Sequence, residues 1–412
     1  MVAEGYKETE IGVIPVEWEV VKLEAIANFT QGIQVPIEEQ SLIKKDGLVR
    51  FIRIVDYTQQ HTEIRYVENK GDRYFANEND IVMVRYGVPG LIGRRIKGQI
   101  ANNLFKINLE QTKANNNFFE FMLSSQIVQG VLQSGIASTT MPAINFSSLN
   151  RIKIPLPPLK EQEKIADILS TTDEKIDAIA LQIQKAQTLK KGLLQKLLSE
   201  GIGHSEFKDS ELGKIPESWE IVKLGSISKI KDGTHFSPKS KDGSCKYVTS
   251  KNIRFGHFDE TTISYISQEE HDKIYKSCPV KKGQVLLTKD GANTGNACLN
   301  PLDEPFSLLS SVAVIDGIKD SLYNEYLLQW LLSSLGQKSL KNSMAGQAIT
   351  RLTLTKISAH KLIFPPLKEQ KQIADILSTA DEKLEVLRAK KEKYEELKKG
   401  LLQKLLSGEI RV

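Results

Sequence analysis

Two stretches, Pro157–Ser170 (PPLKEQEKIADILS) and Pro365–Ser378 (PPLKEQKQIADILS), repeat almost letter for letter at a distance of 208 residues in a chain of 412. The match continues: between Pro157–Ser199 and Pro365–Ser407, 28 of 43 positions are identical. A second pair, Ile11–Leu23 (IGVIPVEWEVVKL) and Leu212–Leu224 (LGKIPESWEIVKL), agrees at an offset of 201. The chain is therefore written twice, each time as an opening phrase, a variable body and a repeated tail. A repeat of this size has to be recognised before any element is assigned.

The tails read as helices. The prolines that open each one favour extended backbone and end whatever precedes them, and from Leu159 to Ser199 there is no proline and one glycine, Gly192. Thr172, Ile176, Ile179, Ile183, Ala186, Leu189, Leu193 and Leu197 follow a 4-3 spacing with one short step at Leu189, matched by Ala380, Leu384, Leu387, Lys391, Tyr394, Leu397, Leu401 and Leu405. Such a seam, flanked by Lys and Glu, is a coiled-coil pattern. Lys160 to Leu198 would span roughly 58 Å as helix. Two matching seams in one chain pack most simply on each other, antiparallel, giving a pseudo-two-fold molecule; the competing reading is a surface helix packed on its own domain.

The bodies are of another kind. DIVMVRYG (Asp80–Gly87) and GQVLLTKDG (Gly283–Gly291) are apolar runs with β-branched residues that end in glycine, as buried strands do. They align with Arg85 on Lys289 and Gly87 on Gly291. FFEFMLSSQIVQGVL and NEYLLQWLLSSLGQ follow with helical periodicity. Each body is expected to be a mixed α/β domain, the two sharing a fold and differing in most surface residues. The boundaries predicted are a first domain at 1–156, a central helix at 157–202, a second domain at 203–364 and a C-terminal helix at 365–412, an overall α+β/α class.

Composition excludes several functions. No run approaches the ~20 apolar residues of a membrane helix, and MVAEGYKETE lacks the pattern of a signal peptide, so a cytoplasmic protein without membrane contact is expected. Cys245, Cys278 and Cys298 form neither a disulfide framework nor a zinc motif. The net charge of +5, from 56 basic and 51 acidic residues, is too small for a uniformly basic nucleic-acid surface, so any such site must be a local patch.

Catalytic motifs are hard to find. Gly87, Gly90 and Gly93 lack the G-x-G-x-x-G spacing, and Gly291 and Gly295 lack a following Lys-Ser/Thr, so strand-end turns are the better reading. The proline pairs lack the flanks of an adenine methyltransferase motif. Asp56 with Glu68 and Lys70 is the nearest imitation of a magnesium nuclease, and nothing equivalent recurs in the second half. No metal site is expected.

What remains suits recognition. Arg50, Arg53, Arg85, Arg94 and Arg95 fall among Tyr57, Tyr86, Asn102 and Asn103; the second body offers His235, Lys239, Lys251, Asn252, Arg254, Lys289, Asn293 and Asn296. Arginine forks match guanine, asparagine matches adenine, and lysine supplies phosphate contacts. The candidate DNA-contacting set is Arg53, Arg85, Tyr86, Arg94, Arg95, Asn102, His235, Lys239, Lys251, Asn252, Lys289 and Asn293. For any single one, a solvated charge or a turn former is the competing role.

The repeated words carry a family. IPLPPLKEQEKIADIL and FPPLKEQKQIADIL, each leading into LKKGLLQKLLS, closely resemble the conserved regions of type I restriction-modification specificity subunits, and the opening phrases and KDGTHFSP (Lys231–Pro238) resemble the start of their target-recognition domains. The resemblance implies a noncatalytic subunit. It would hold two target-recognition domains apart on antiparallel helices, each domain reading half of a bipartite site in double-stranded DNA. Two copies of a methylation subunit would dock on the frame, with a restriction subunit where one is encoded. S-adenosylmethionine, ATP and magnesium would then sit on partners and no cofactor on this chain. The first body has no counterpart of DGTHFSP beyond TQGIQVP, so a role for His235 does not transfer to it. The rival readings are a single-chain magnesium nuclease and a coiled-coil scaffold without DNA contact.

Overall fold

The computed structural model describes residues 2–59, 62–136, 143–239, 243–344 and 351–412. It divides into two compact units, residues 1–180 with 389–412, and residues 181–388. Both cut points fall inside long helices, Leu159–Ser199 and Leu367–Leu406, so each unit owns the start of one helix and the end of the other. The linear four-part division predicted above instead treats each helix as a segment of its own.

The first unit opens with the hairpin Tyr6–Thr9/Gly12–Pro15, then the strand Glu19–Lys22, which pairs antiparallel with Lys153–Leu156 just before the long helix. Its main sheet runs, in spatial order, Ala27–Gln31, Leu104–Leu109, Ile81–Val84 and Ile92–Gly93, all antiparallel. A second four-stranded sheet runs Arg65–Glu68, Leu48–Ile52, Gly98–Ile100 and Phe75–Ala76, with one parallel pair. The strand predicted from DIVMVRYG is Ile81–Val84, every residue of it buried. Gly87 follows at φ 98°, in the left-handed region a side chain avoids.

The second unit repeats the order. Phe207–Ser210/Gly213–Pro216 is its hairpin and Glu220–Lys223 pairs with Lys361–Phe364. The main sheet runs Ser228–Asp232, Val312–Gly317, Val285–Thr288 and Ala297–Leu299. The second sheet differs: three strands, Ser264–Ile266, Cys245–Val248 and Ser307–Leu308, beside a helix Gln268–Ser277. In both units the predicted helix after the main sheet breaks in two, Asn116–Ser124 with Gln126–Ile136 and Asn324–Leu332 with Ser334–Met344. The cause is a serine in extended conformation, Ser125 or Ser333, whose hydroxyl bonds back to the carbonyl of Met122 or Trp330.

The repeated words can now be read as contacts. Glu161 of PPLKEQ accepts the indole N–H of Trp18 at 2.9 Å, and Glu369 that of Trp219 at 2.9 Å. Gln162 accepts from the backbone of Asn115 and donates to the carbonyls of Lys113 and Pro157; Gln370 does the same with Tyr323, Ser321 and Pro365. The opening phrase and the tail thus recur together because each tryptophan, fully buried, needs its glutamate. In the first unit Arg411 completes the site, its Nε 2.6 Å from Glu161; in the second, His204 Nε2 lies 2.8 Å from Glu369.

The helix seams need one correction. In the first unit Ile165, Ala166 and Leu169 join the core with Leu405 and Leu406; in the second Ile373, Ala374 and Leu377 join it with Leu197 and Leu198. In each unit the start of one helix thus lies on the end of the other, an antiparallel arrangement. Leu189 and Leu397, expected in the seam, are exposed by 63% and 50%. Lys190 and Lys398 take the inward position instead, paired with Asp381 and, at 2.5 Å, with Asp173. A strict seven-residue repeat through Ile176 and Ile183 falls on Lys190, and one through Leu384 and Lys391 falls on Lys398, so the inward lysines keep the repeat and the two leucines lie one residue off it.

Candidate nucleic-acid interface

The ends of the main-sheet strands Ile81–Val84 and Val285–Thr288 lead into corresponding corners, one in each unit. In the first, Arg85 N–H donates to the Asn103 carbonyl, and Ile144 N–H to the Arg85 carbonyl. In the second, Lys289 N–H donates to the Ser311 carbonyl and Leu352 N–H to the Lys289 carbonyl. Bridges Tyr86–Ala143 and Asp290–Arg351 close the two corners identically. The backbone is the same; the side chains are not.

Arg85 places Nη1 2.7 Å from Oε1 of Gln31, Nε 3.3 Å from the Ile144 carbonyl, and its guanidinium 5.4 Å from the Phe146 ring centroid. Tyr86 beside it is partly exposed. Lys289 is buried, its Nζ 2.9 Å from Asp290 and 3.4 Å from Asp232. Asp290 also pairs with Arg351 at 3.0 Å, and His235 Nε2 lies 3.6 Å from Asp232. Asp232 takes the place that Gln31 holds in the first unit, at the end of the strand pairing with Val312–Gly317.

The other candidates separate by what they already hold. Arg94 is covered and bonded to Glu120 and Asn117 at 2.8 and 2.9 Å. Asn252 is fully buried and ties Thr249 N–H to the Asp259 carbonyl and Thr262. Arg53 donates to the Glu63 carbonyl and its own backbone N–H binds Asp56. Asn102 reaches Gln34 at 3.4 Å, while Asn293 is half-buried and its carbonyl accepts from Asn296. Lys239 and Lys251 are exposed, as is His235. Arg95 stands apart: its side chain is 69% exposed while its backbone sits at φ 66°. That conformation costs a non-glycine residue about 1 to 3 kcal/mol and collects at functional sites. Sequence reasoning missed Asp232, Asp290 and Arg351. Aligning Ala143 with Arg351 across the repeat would have exposed the last.

The nuclease imitation does not assemble. The Asp56 carboxylate is fully covered and taken by Arg50 at 2.7 Å and by Arg53, whereas Glu68 is exposed and 3.4 Å from Lys70. Among the described residues no group of three or more His, Cys, Asp or Glu could hold a metal ion. Cys278 and Cys298 are buried, which pushes their thiols up to about 11 and about 12 and keeps them protonated. No helix among the described residues is long and apolar enough to cross a membrane.

Residues 15–188 and 216–396 match the family described as the type I restriction modification DNA specificity domain, one match on each copy of the repeat. The chain belongs to that family. It is a DNA specificity subunit of a type I restriction-modification system, noncatalytic, with the catalytic activities on partner subunits. The specificity subunit of type I restriction enzyme MjaVIII from Methanocaldococcus jannaschii is 29% identical, over 99% of this chain and 96% of its own. That of EcoBI from Escherichia coli is 25% identical over 86% and 77%. The crystal structure of a type I S subunit from M. genitalium shares the fold, with a TM-score of 0.63 at 18% identity over 94% of this chain and 96% of its own. As a specificity subunit, this chain binds DNA and assembles with methylation and restriction subunits.

Proposed function

We propose that each unit of this specificity subunit reads one half of a bipartite site in double-stranded DNA, and that two copies of the methylation subunit dock on the repeated helices. The carrying observation is that the two strand-end corners keep one backbone and carry different side chains. One frame can then offer two chemistries to one duplex. In the first unit the contacts fall to Tyr86 and Arg95, in the second to His235, Lys239 and Lys251, all of them exposed. Arg85 and Lys289, held inside by Gln31 and by two aspartates, shape the corners.

Two copies of one partner are favoured by the repeat itself. Leu189 and Leu397 are equivalent, exposed, and followed by the same Lys-Lys-Gly; identical surfaces bind identical partners. S-adenosylmethionine, ATP and magnesium belong to those partners, this chain binds no cofactor, and the assembly works in the cytoplasm. The test is exchange of residues 224–362 for the corresponding segment of a relative, co-expression with the methylation subunit, and mapping of N6-methyladenine. One half of the methylated motif should change. A change in both halves or in neither would overturn the reading.

A further inference from the structure

The corner of the second unit contains a line of charge that the first lacks. Arg351 Nε is 3.0 Å from one oxygen of Asp290, and the other oxygen is 2.9 Å from Lys289 Nζ. That ammonium is 3.4 Å from Asp232 Oδ2, which lies 3.6 Å from His235 Nε2. The interior of the line is largely covered, with 3% of the Lys289 side chain, 13% of Asp232 and 27% of Asp290 exposed. Its ends are open: 53% for Arg351 and 68% for His235. A buried ammonium between two carboxylates fixes both carboxylates in place, since either one left unpaired would be costly. Each carboxylate then orients one outer group. The main chain of Arg351 is pinned as well, by its bridge to Asp290 and by the Leu352 N–H to the Lys289 carbonyl.

In the first unit Gln31, Tyr86 and Ala143 stand at the positions of Asp232, Asp290 and Arg351. No chain of charges can form from those three. The line is therefore a property of one reader and not of the shared frame.

We propose that Arg351 determines specificity in the half-site read by the second unit, its planar guanidinium donating to an acceptor edge of a base. Lys289 is a positioning residue, acting through Asp290 and Asp232 to aim Arg351 and His235 without touching DNA. A guanidinium fork matches paired acceptors such as those of guanine, which an ammonium cannot match. The proposal rests on the reading that each unit serves one half-site.

The experiment is the N6-methyladenine map of the full chain co-expressed with its methylation subunit, for Arg351→Ala, Arg351→Lys, Asp290→Asn, Lys289→Met and Lys289→Arg. Arg351→Ala and Arg351→Lys should each relax one position of one half-site, with roughly a tenfold or greater loss of discrimination there and the other half unchanged. Asp290→Asn and Lys289→Met should relax that same position, and Lys289→Arg should restore it. Asp290→Asn keeps the shape of the corner, so it decides the matter if Lys289→Met accumulates poorly. An unchanged motif with evenly reduced methylation in the Arg351 variants would mean a phosphate contact and would overturn the proposal. So would relaxation in the Arg351 variants that neither Asp290→Asn nor Lys289→Met shares. Exchange of residues 224–362, run alongside, separates the two ideas: if it changes one half-site while Arg351→Ala changes nothing, only this inference fails.

Discussion

Two corners with one backbone solve the same packing problem with opposite chemistry. In the first unit a half-buried arginine leans on a neutral amide and a phenylalanine ring, Arg85 on Gln31 and Phe146. In the second, a lysine is sealed between two carboxylates, Lys289 between Asp232 and Asp290. The first arrangement tolerates loss of its cation, because what remains is neutral. The second does not, because both carboxylates would lose the buried cation they share. A similar contrast lies at the approach to the long helices. Leu23 and Leu224 bond their N–H groups to the carbonyls of Ile152 and His360, so a buried isoleucine in one unit answers to a buried histidine in the other. Shared hydrogen bonds keep the frame; the side chains hung on it set how each unit responds to charge and acid.

The largest effects should fall where the units agree. Trp18→Ala and Trp219→Ala each empty a fully buried site and take one donor from a glutamate, at about 3 to 5 kcal/mol apiece. Hydrogen exchange resolved by unit should show each loss confined to its own unit. Equal losses in both units from either variant would break the division into two.

At the corners the units should part. Lys289→Ala is expected to cost about 3 kcal/mol by removing the buried cation that Asp232 and Asp290 share, and Arg85→Ala about 1 kcal/mol for hydrogen bonds lost to neutral groups. Denaturant melts of the two variants check this, and equal costs would mean that the buried charges matter less than their geometry implies.

Acid should also find the second unit first. His360 is buried, which pushes its imidazole down to about 4 from an ordinary 6.5. Above pH 6.5 it is neutral whether the chain is folded or not, and stability is unaffected. Between pH 6.5 and about 4 the unfolded chain takes a proton that the folded one refuses, so stability falls by up to about 3 kcal/mol, then levels off. Comparing melts at pH 7 and pH 5, where about half of that loss or more should be present, tests the sign. His360→Leu should flatten the profile, and an unchanged profile would put the acid sensitivity elsewhere.

The smallest effects belong to the lysines of the helix seam. Lys190→Ala and Lys398→Ala each remove a partly exposed pair with an aspartate, and about 0.5 to 1 kcal/mol should be lost at low salt, less at high salt. A cost above 2 kcal/mol in only one of them would show that the two copies of the repeat are not equivalent.

Much of this was present in the sequence as spacing. The doubled PPLKEQ words, the 4-3 seam and the apolar runs ending in Gly87 and Gly291 marked two α/β bodies and two long helices, since those patterns follow from periods of 3.6 and 2 along a local stretch. The resemblance they carried led to the family. What no spacing could give was the partner of each polar side chain. Arg85 and Lys289 look alike as cations before a glycine, and only packing brought Gln31 to one and Asp232 with Asp290 to the other. Leu189 and Leu397 looked like seam residues because they are apolar, and only packing showed that Lys190 and Lys398, one residue on and in strict repeat, take the inward place. Arg351 sat in no motif at all. Local periodicity is a property of consecutive residues; burial and pairing are set by atoms that meet across long stretches of chain, and there the tertiary structure decided.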